Sequence, residues 1–118
     1  MADKILALVE ESLDDDQAND VKVIPLAGKT DIAEYMVVAS GRSARHVDAT
    51  TQHLLTKLKA AGLRDVRSEG RDNKDWILVD AGYVIVHLFR PEVRAYYDLE
   101  KLWESGTVER SADEVSSV

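Results

Sequence analysis

At 118 residues the chain suffices for one domain and falls short of two, and 45% hydrophobic residues supply a core that needs no staple. The absence of cysteine excludes a disulfide framework and any thiolate metal site, and no secretory leader or apolar run near the roughly 20 residues of a membrane span is visible, so the expected location is the cytoplasm. The net charge of −7 is unevenly placed, with seven acids and one base in residues 1–20, six acids and two bases in residues 98–118, and nine acids and twelve bases between; this favours a basic protein partner over nucleic acid, while leaving a local RNA contact open in the middle.

Ala2 to Leu13 has the spacing of an amphipathic helix. Ile5, Leu6, Val9 and Leu13 share one face, and Asp3 lies in the first turn, where the helix dipole favours an anion. Asp14-Asp15-Asp16 reads as a solvated exit, because adjacent carboxylates diverge and no calcium-loop spacing follows them. Val21 to Leu26 reads as a short strand whose Pro25 cannot donate to a ladder and so belongs at a strand end or a sheet edge. Ala27 to Asp31 turns the chain. Its Gly28-Lys29-Thr30 matches the end of a phosphate-binding loop, but Val23 stands where that loop requires its first glycine.

Tyr35 to Ser40 is the next strand, broken by Gly41-Arg42-Ser43 before a long helix from about Ala44 to Ala61. Ser43 is a suitable N-cap, Val47, Thr51, Leu54, Leu58 and Ala61 form the inner stripe with Leu55 beside it, and Gly62 is the expected stop. Leu63 to Glu69 reads as a weaker strand, followed by a polar loop over 70–74. Trp76 to Val79 and Tyr83 to Phe89 are apolar and largely β-branched, and Asp80-Ala81-Gly82 between them predicts a hairpin. Runs so nearly continuous predict strands covered on both faces. Pro91 suits a first helical position, and the helix it opens is expected to run to Trp103 with two apolar faces, one for the sheet and the other either for a partner protein or for a wide core stripe within the chain.

Chemistry finds little to use. His46 and His53 share a helix face but stand about 10 Å apart along its axis, too far to share an ion. His87 reads as a hydrogen-bonded sheet residue, and Ser40 and Ser43 near His46 lack a nucleophile elbow or an orienting acid. No catalytic and no metal-binding residue is expected, and no cofactor.

The stretch from Asp75 to Trp103 closely resembles the signature of the ribosomal silencing factor family, also called Iojap-like. Asp75-Trp76, Val79-Asp80, Gly82, Val84-Ile85-Val86-His87, Arg94, Tyr97, Leu99-Glu100 and Leu102-Trp103 stand at its positions, and Tyr83 departs from it where many members carry Asp. Ser40, Gly41, Ser43, Arg45, His46 and Val47 match a second family segment, so the likeness spans roughly residues 20–104. The expected architecture is a single α/β domain over residues 1–104: a mixed sheet of about five strands flanked by helices, in the order α-β-β-α-β-β-β-α. Residues 105–118 read as a disordered acidic tail, being too small and charged to bury a core. The resemblance implies a topology similar to that of nucleotidyltransferases, here without the catalytic carboxylates.

It also implies a function. Family members bind the large ribosomal subunit through its fourteenth protein, on the face where the small subunit docks, so that joining is blocked sterically and translation is repressed. Trp76, Asp80, Tyr97 and Glu100 are then the expected partner-binding residues, with Val84, Val86, His87, Leu99, Leu102 and Trp103 as their structural support. Two alternatives stay open: a large-subunit assembly factor contacting rRNA through Arg42, Arg45, Lys57 and Lys59, and a metal-dependent nucleotidyltransferase. A minor rRNA contact and pairing of the free chain with itself stay open as well.

Overall fold

The computed structural model of the chain describes residues 2–72 and 75–93. Helix α1, Ala2–Asp15, buries Ile5, Val9 and Leu13 as the periodicity requires, with Leu6 packed at the margin. Strand β1, Asn19–Pro25, begins earlier than its apolar run: Asn19 already pairs with Ser40, and a register shift before Lys22, with Asp20 at φ 50°, marks a bulge. Pro25 ends this strand, which lies at one edge of the sheet.

Strand β2, Tyr35–Ser40, leads into helix α2, Ala44–Ala60. Ser43 caps it, its extended backbone aiming Oγ at the His46 N–H at 3.1 Å. At the other end Gly62 takes φ 96°, and the N–H groups of Gly62 and Leu63 donate to the carbonyls of Lys59 and Leu58 at 3.0 and 3.2 Å. This pair of bonds closes the helix and turns Leu63 back against the core. Two expectations change as a result. Ala61 is the exposed cap residue rather than part of the inner stripe, and strand β3 is only Arg67–Glu69, since Leu63 is already committed to the helix end.

Strands β4, Trp76–Asp80, and β5, Val84–Phe89, form the expected hairpin, with Ala81 N–H donating to the Val84 carbonyl at 3.0 Å. The sheet order is β1-β2-β5-β4-β3; β2 and β5 run parallel and every other pair is antiparallel. Both helices pack on one face, where Ile5, Val9, Leu13, Val47, Leu54 and Leu58 meet Val37, Ile77, Val79, Val84, Val86 and Leu88. Together these elements make a single α/β domain on a five-stranded mixed sheet. Among the described residues no helix is long and apolar enough to cross a membrane. Residues 91–93 are helical, as the position of Pro91 requires, with Val93 N–H donating to the Arg90 carbonyl at 3.1 Å. The remainder of that helix to Trp103, and the tail over 105–118, lie outside the described residues.

Candidate functional site

Strand alternation sorts the second sheet face without ambiguity, because paired residues share a face. Trp76, Leu78 and Asp80 of β4 stand opposite Phe89, His87 and Ile85 of β5, and Leu78 and Asp80 stand opposite Glu69 and Arg67 of β3. This is the face away from α1 and α2. β5 is buried along its whole length, but β4 alternates: Ile77 and Val79 are buried under the helices while Trp76, Leu78 and Asp80 are half-buried. The expectation of cover on both faces therefore holds for β5 and fails for β4, which has only three-residue β3 on its outer side. The product is an apolar patch of Trp76 and Leu78 rimmed by Asp80, Arg67 and Glu69, the composition of a binding surface with an apolar centre and a polar border.

The Trp76 indole is held in place. It stacks on Phe89 with centroids 5.0 Å apart and an interplanar angle of 28°, and its Nε1–H donates to His87 Nδ1 at 2.9 Å. Accepting at Nδ1 puts the proton of neutral His87 on Nε2. Arg90 fixes the start of β4 from the other side: its Nη2 meets Asp75 Oδ1 at 2.7 Å, and its backbone N–H donates to the Asp75 carbonyl at 3.1 Å. Asp80 serves the hairpin, since its Oδ1 accepts the Gly82 N–H at 2.9 Å where Gly82 turns at φ 83°.

Burial pushes the His87 imidazole down from 6.5 to about 4. A native pKa below the unfolded value means that the unfolded chain takes up the proton first as the solution is acidified. Stability from this group is complete above about pH 6.5 and drains away as pH falls toward 4. His87→Gln retains an acceptor for the Trp76 N–H and does not titrate. Between pH 7 and pH 5 the wild type is expected to lose about 2 kcal/mol more unfolding free energy than this variant. Parallel denaturant-derived profiles for the two proteins would contradict the assignment.

The second family-like segment is absorbed by the fold. Gly41 is buried so close to α2 that a Cβ would sit 2.7 Å from Val47 Cγ2. His46 accepts the Arg42 N–H at Nδ1 at 2.8 Å, which leaves its Nε2–H to donate to the Asp16 carbonyl at 2.7 Å, so one ring nitrogen braces the turn before α2 and the other ties α2 to the end of α1. His53 Nδ1 meets the Asp16 carboxylate at 2.8 Å, and Lys57 meets Asp15 at 3.2 Å. The acidic triplet is thus partly a clamp between the two helices and not merely a solvated exit, because the end of α1 abuts α2. Of the basic residues singled out on and before α2, Arg42, Arg45 and Lys59 are exposed and Lys57 is engaged with Asp15. No three His, Asp or Glu side chains among the described residues converge as a metal site.

Of the residues expected at a partner surface, Trp76 and Asp80 lie on one face, while Tyr97 and Glu100 are outside the described residues, as are Leu99, Leu102 and Trp103. Val84 and Val86 lie on the helix-facing side, opposite to Trp76, and His87 directly contacts it. Leu78 and Phe89 were missed by sequence reasoning. Period two along Trp76-Ile77-Leu78-Val79-Asp80 carries the signal for Leu78, and the run of apolar residues hid it.

Comparison with known proteins adds to this geometry. A family model described as ribosomal silencing factor during starvation matches residues 1–117. A protein of Zymomonas mobilis called ribosomal silencing factor RsfS is 55% identical over 102 residues, which cover 86% of this chain and 77% of that protein. A mouse protein called mitochondrial assembly of ribosomal large subunit protein 1 is 38% identical over 91 residues, covering 75% of this chain and 40% of its own length. A crystal structure of a Chromobacterium violaceum protein superposes with a TM-score of 0.84 at 40% identity, covering 87% of this chain and 86% of that one.

Proposed function

Since the chain belongs to the ribosomal silencing factor family, we propose that it represses translation by binding the large ribosomal subunit, through that subunit's fourteenth protein, and standing where the small subunit must dock. The single observation that best supports this is the half-buried Trp76-Leu78-Asp80 line on the sheet face that neither helix covers. Its action is steric. Surface complementarity does the work, with no catalytic group, metal or cofactor taking part. Trp76 supplies the apolar anchor and Asp80 the charge facing a basic partner, and the proposed contact also draws on Tyr97 and Glu100, with Leu99, Leu102 and Trp103 in a supporting role.

Co-sedimentation of the purified protein with isolated large subunits tests the partner. Asp80→Asn retains an oxygen for the Gly82 N–H and removes only the charge. It is expected to melt like the wild type and to bind large subunits roughly tenfold more weakly, with a shallower salt dependence. Asp80→Lys and Glu100→Lys are expected to weaken binding further. Folded variants that bind with wild-type affinity would move the interface elsewhere.

The name of the mouse relative favours a second reading, a role in assembling the large subunit. Cells depleted of the protein would then accumulate immature large-subunit particles in rich medium, whereas a silencing factor leaves mature particles that over-associate when nutrients fail.

A further inference from the structure

Three large apolar side chains are exposed among the described residues, Val21, Ile32 and Tyr83 at 39, 66 and 49%. Ile32 and Tyr83 border one groove of about 500 Å³, set between the loop joining β1 to β2 and the turn joining β4 to β5. A lone exposed hydrophobe needs no explanation, but two on facing walls of a groove do. The walls are stitched together. The N–H groups of Glu34 and Tyr35 both donate to the Tyr83 carbonyl, at 2.8 and 3.1 Å, and Leu26 N–H donates to the Glu34 carbonyl at 2.9 Å. Thr30 Oγ1 accepts the Ile32 N–H at 3.2 Å, so Ile32 is displayed from a bonded loop.

Among the described residues the groove's lining carries two carboxylates, Asp31 and Glu34, and no basic side chain. Asp80 adjoins it, its carboxylate bonded to the N–H of Gly82 in the groove wall. We infer that this groove docks an extended, Lys- or Arg-bearing segment of a ribosomal protein, whose aliphatic stem lies along Ile32 and Tyr83 and whose cationic head meets Asp31 and Glu34. Long basic side chains carry an apolar stem of this kind, and a tyrosine face attracts the charge. RNA fits poorly, because the two carboxylates would repel its phosphates. The inference rests on the large-subunit partner proposed above and continues the Trp76 surface past Asp80 to the end of the sheet.

Co-sedimentation with purified large subunits tests it on the wild type, on the double variant Ile32→Ser with Tyr83→Ser, and on Trp76→Ala. The double variant changes only exposed side chains and is expected to melt within about 3 °C of the wild type. It should bind about tenfold more weakly. A benzophenone amino acid in place of Tyr83 should cross-link to a basic peptide of a large-subunit protein. If the double variant binds like the wild type while Trp76→Ala is weakened, the groove is not a docking site and the Trp76 surface stands. Should the wild type itself fail to sediment with large subunits, the proposed partner falls, and the groove's occupant with it. Cross-linking to rRNA would overturn the protein occupant alone.

Discussion

Trp76→Ala is expected to weaken binding to the large subunit by roughly two orders of magnitude, the scale of a central aromatic anchor. The indole is half-buried, so its remaining surface faces outward beside Leu78, while its inner side rests on Phe89 and its N–H is given to His87. Removing the ring therefore does two things. It deletes the apolar centre of the patch, and it leaves His87 Nδ1 without this donor above a newly uncovered Phe89, at a stability cost of about 2 kcal/mol. Trp76→Phe separates the two effects. A phenyl ring keeps the stack and loses the N–H, which is directed inward, so its binding loss should be nearer fivefold although it also destabilises the fold. Equal binding by the wild type and a folded Trp76→Ala would remove Trp76 from the interface.

Gly70→Ala is expected to produce the largest stability loss. Gly70 sits between β3 and β4 at φ 86°, and a Cβ there would run into the carbonyl oxygen of Trp76 and crowd its carbonyl carbon at 3.3 Å. The obstacle is strand backbone, which cannot swing aside as a long side chain would. Gly62 gives the comparison, since it also has a positive φ, 96°, but no neighbour within 4 Å of a Cβ. Gly62→Ala should cost about 1 kcal/mol, the strain of the left-handed backbone alone. Gly70→Ala should cost about 3 kcal/mol or more and lower the melting temperature by about 10 °C, because the strand must move. That movement falls on the residue carrying the anchor, so Gly70→Ala should also weaken large-subunit binding in the fraction that remains folded. Matching losses for the two glycine variants would show that the close approach is not felt.

Local chemistry made much of the fold legible. The stripe of Ile5, Val9 and Leu13, the cap at Ser43, the stop at Gly62 and the edge position of Pro25 each follow from what a few neighbouring residues can or cannot bond. The parts that stayed hidden depend on partners distant in the chain. Asp16 looked solvated because nothing nearby in sequence calls for it, yet His46 and His53 reach it from the other helix. β4 looked fully covered because its residues are apolar, and only the sheet order reveals that it lies one strand from the edge, with Trp76, Leu78 and Asp80 on the face that neither α1 nor α2 covers. The facing of Ile32 and Tyr83 likewise exists only once the loop after β1 is bonded to the turn before β5. Burial is a property of neighbours, and composition alone names none of them.

Light scattering on mixing the two ribosomal subunits, with the protein in saturating excess over the large one, tests the steric role most directly. Wild-type protein should slow joining by more than about tenfold, in proportion to large-subunit occupancy, and Trp76→Ala should leave the rate unchanged at the same concentration. Large subunits that carry the bound protein and still join at the unhindered rate would contradict it.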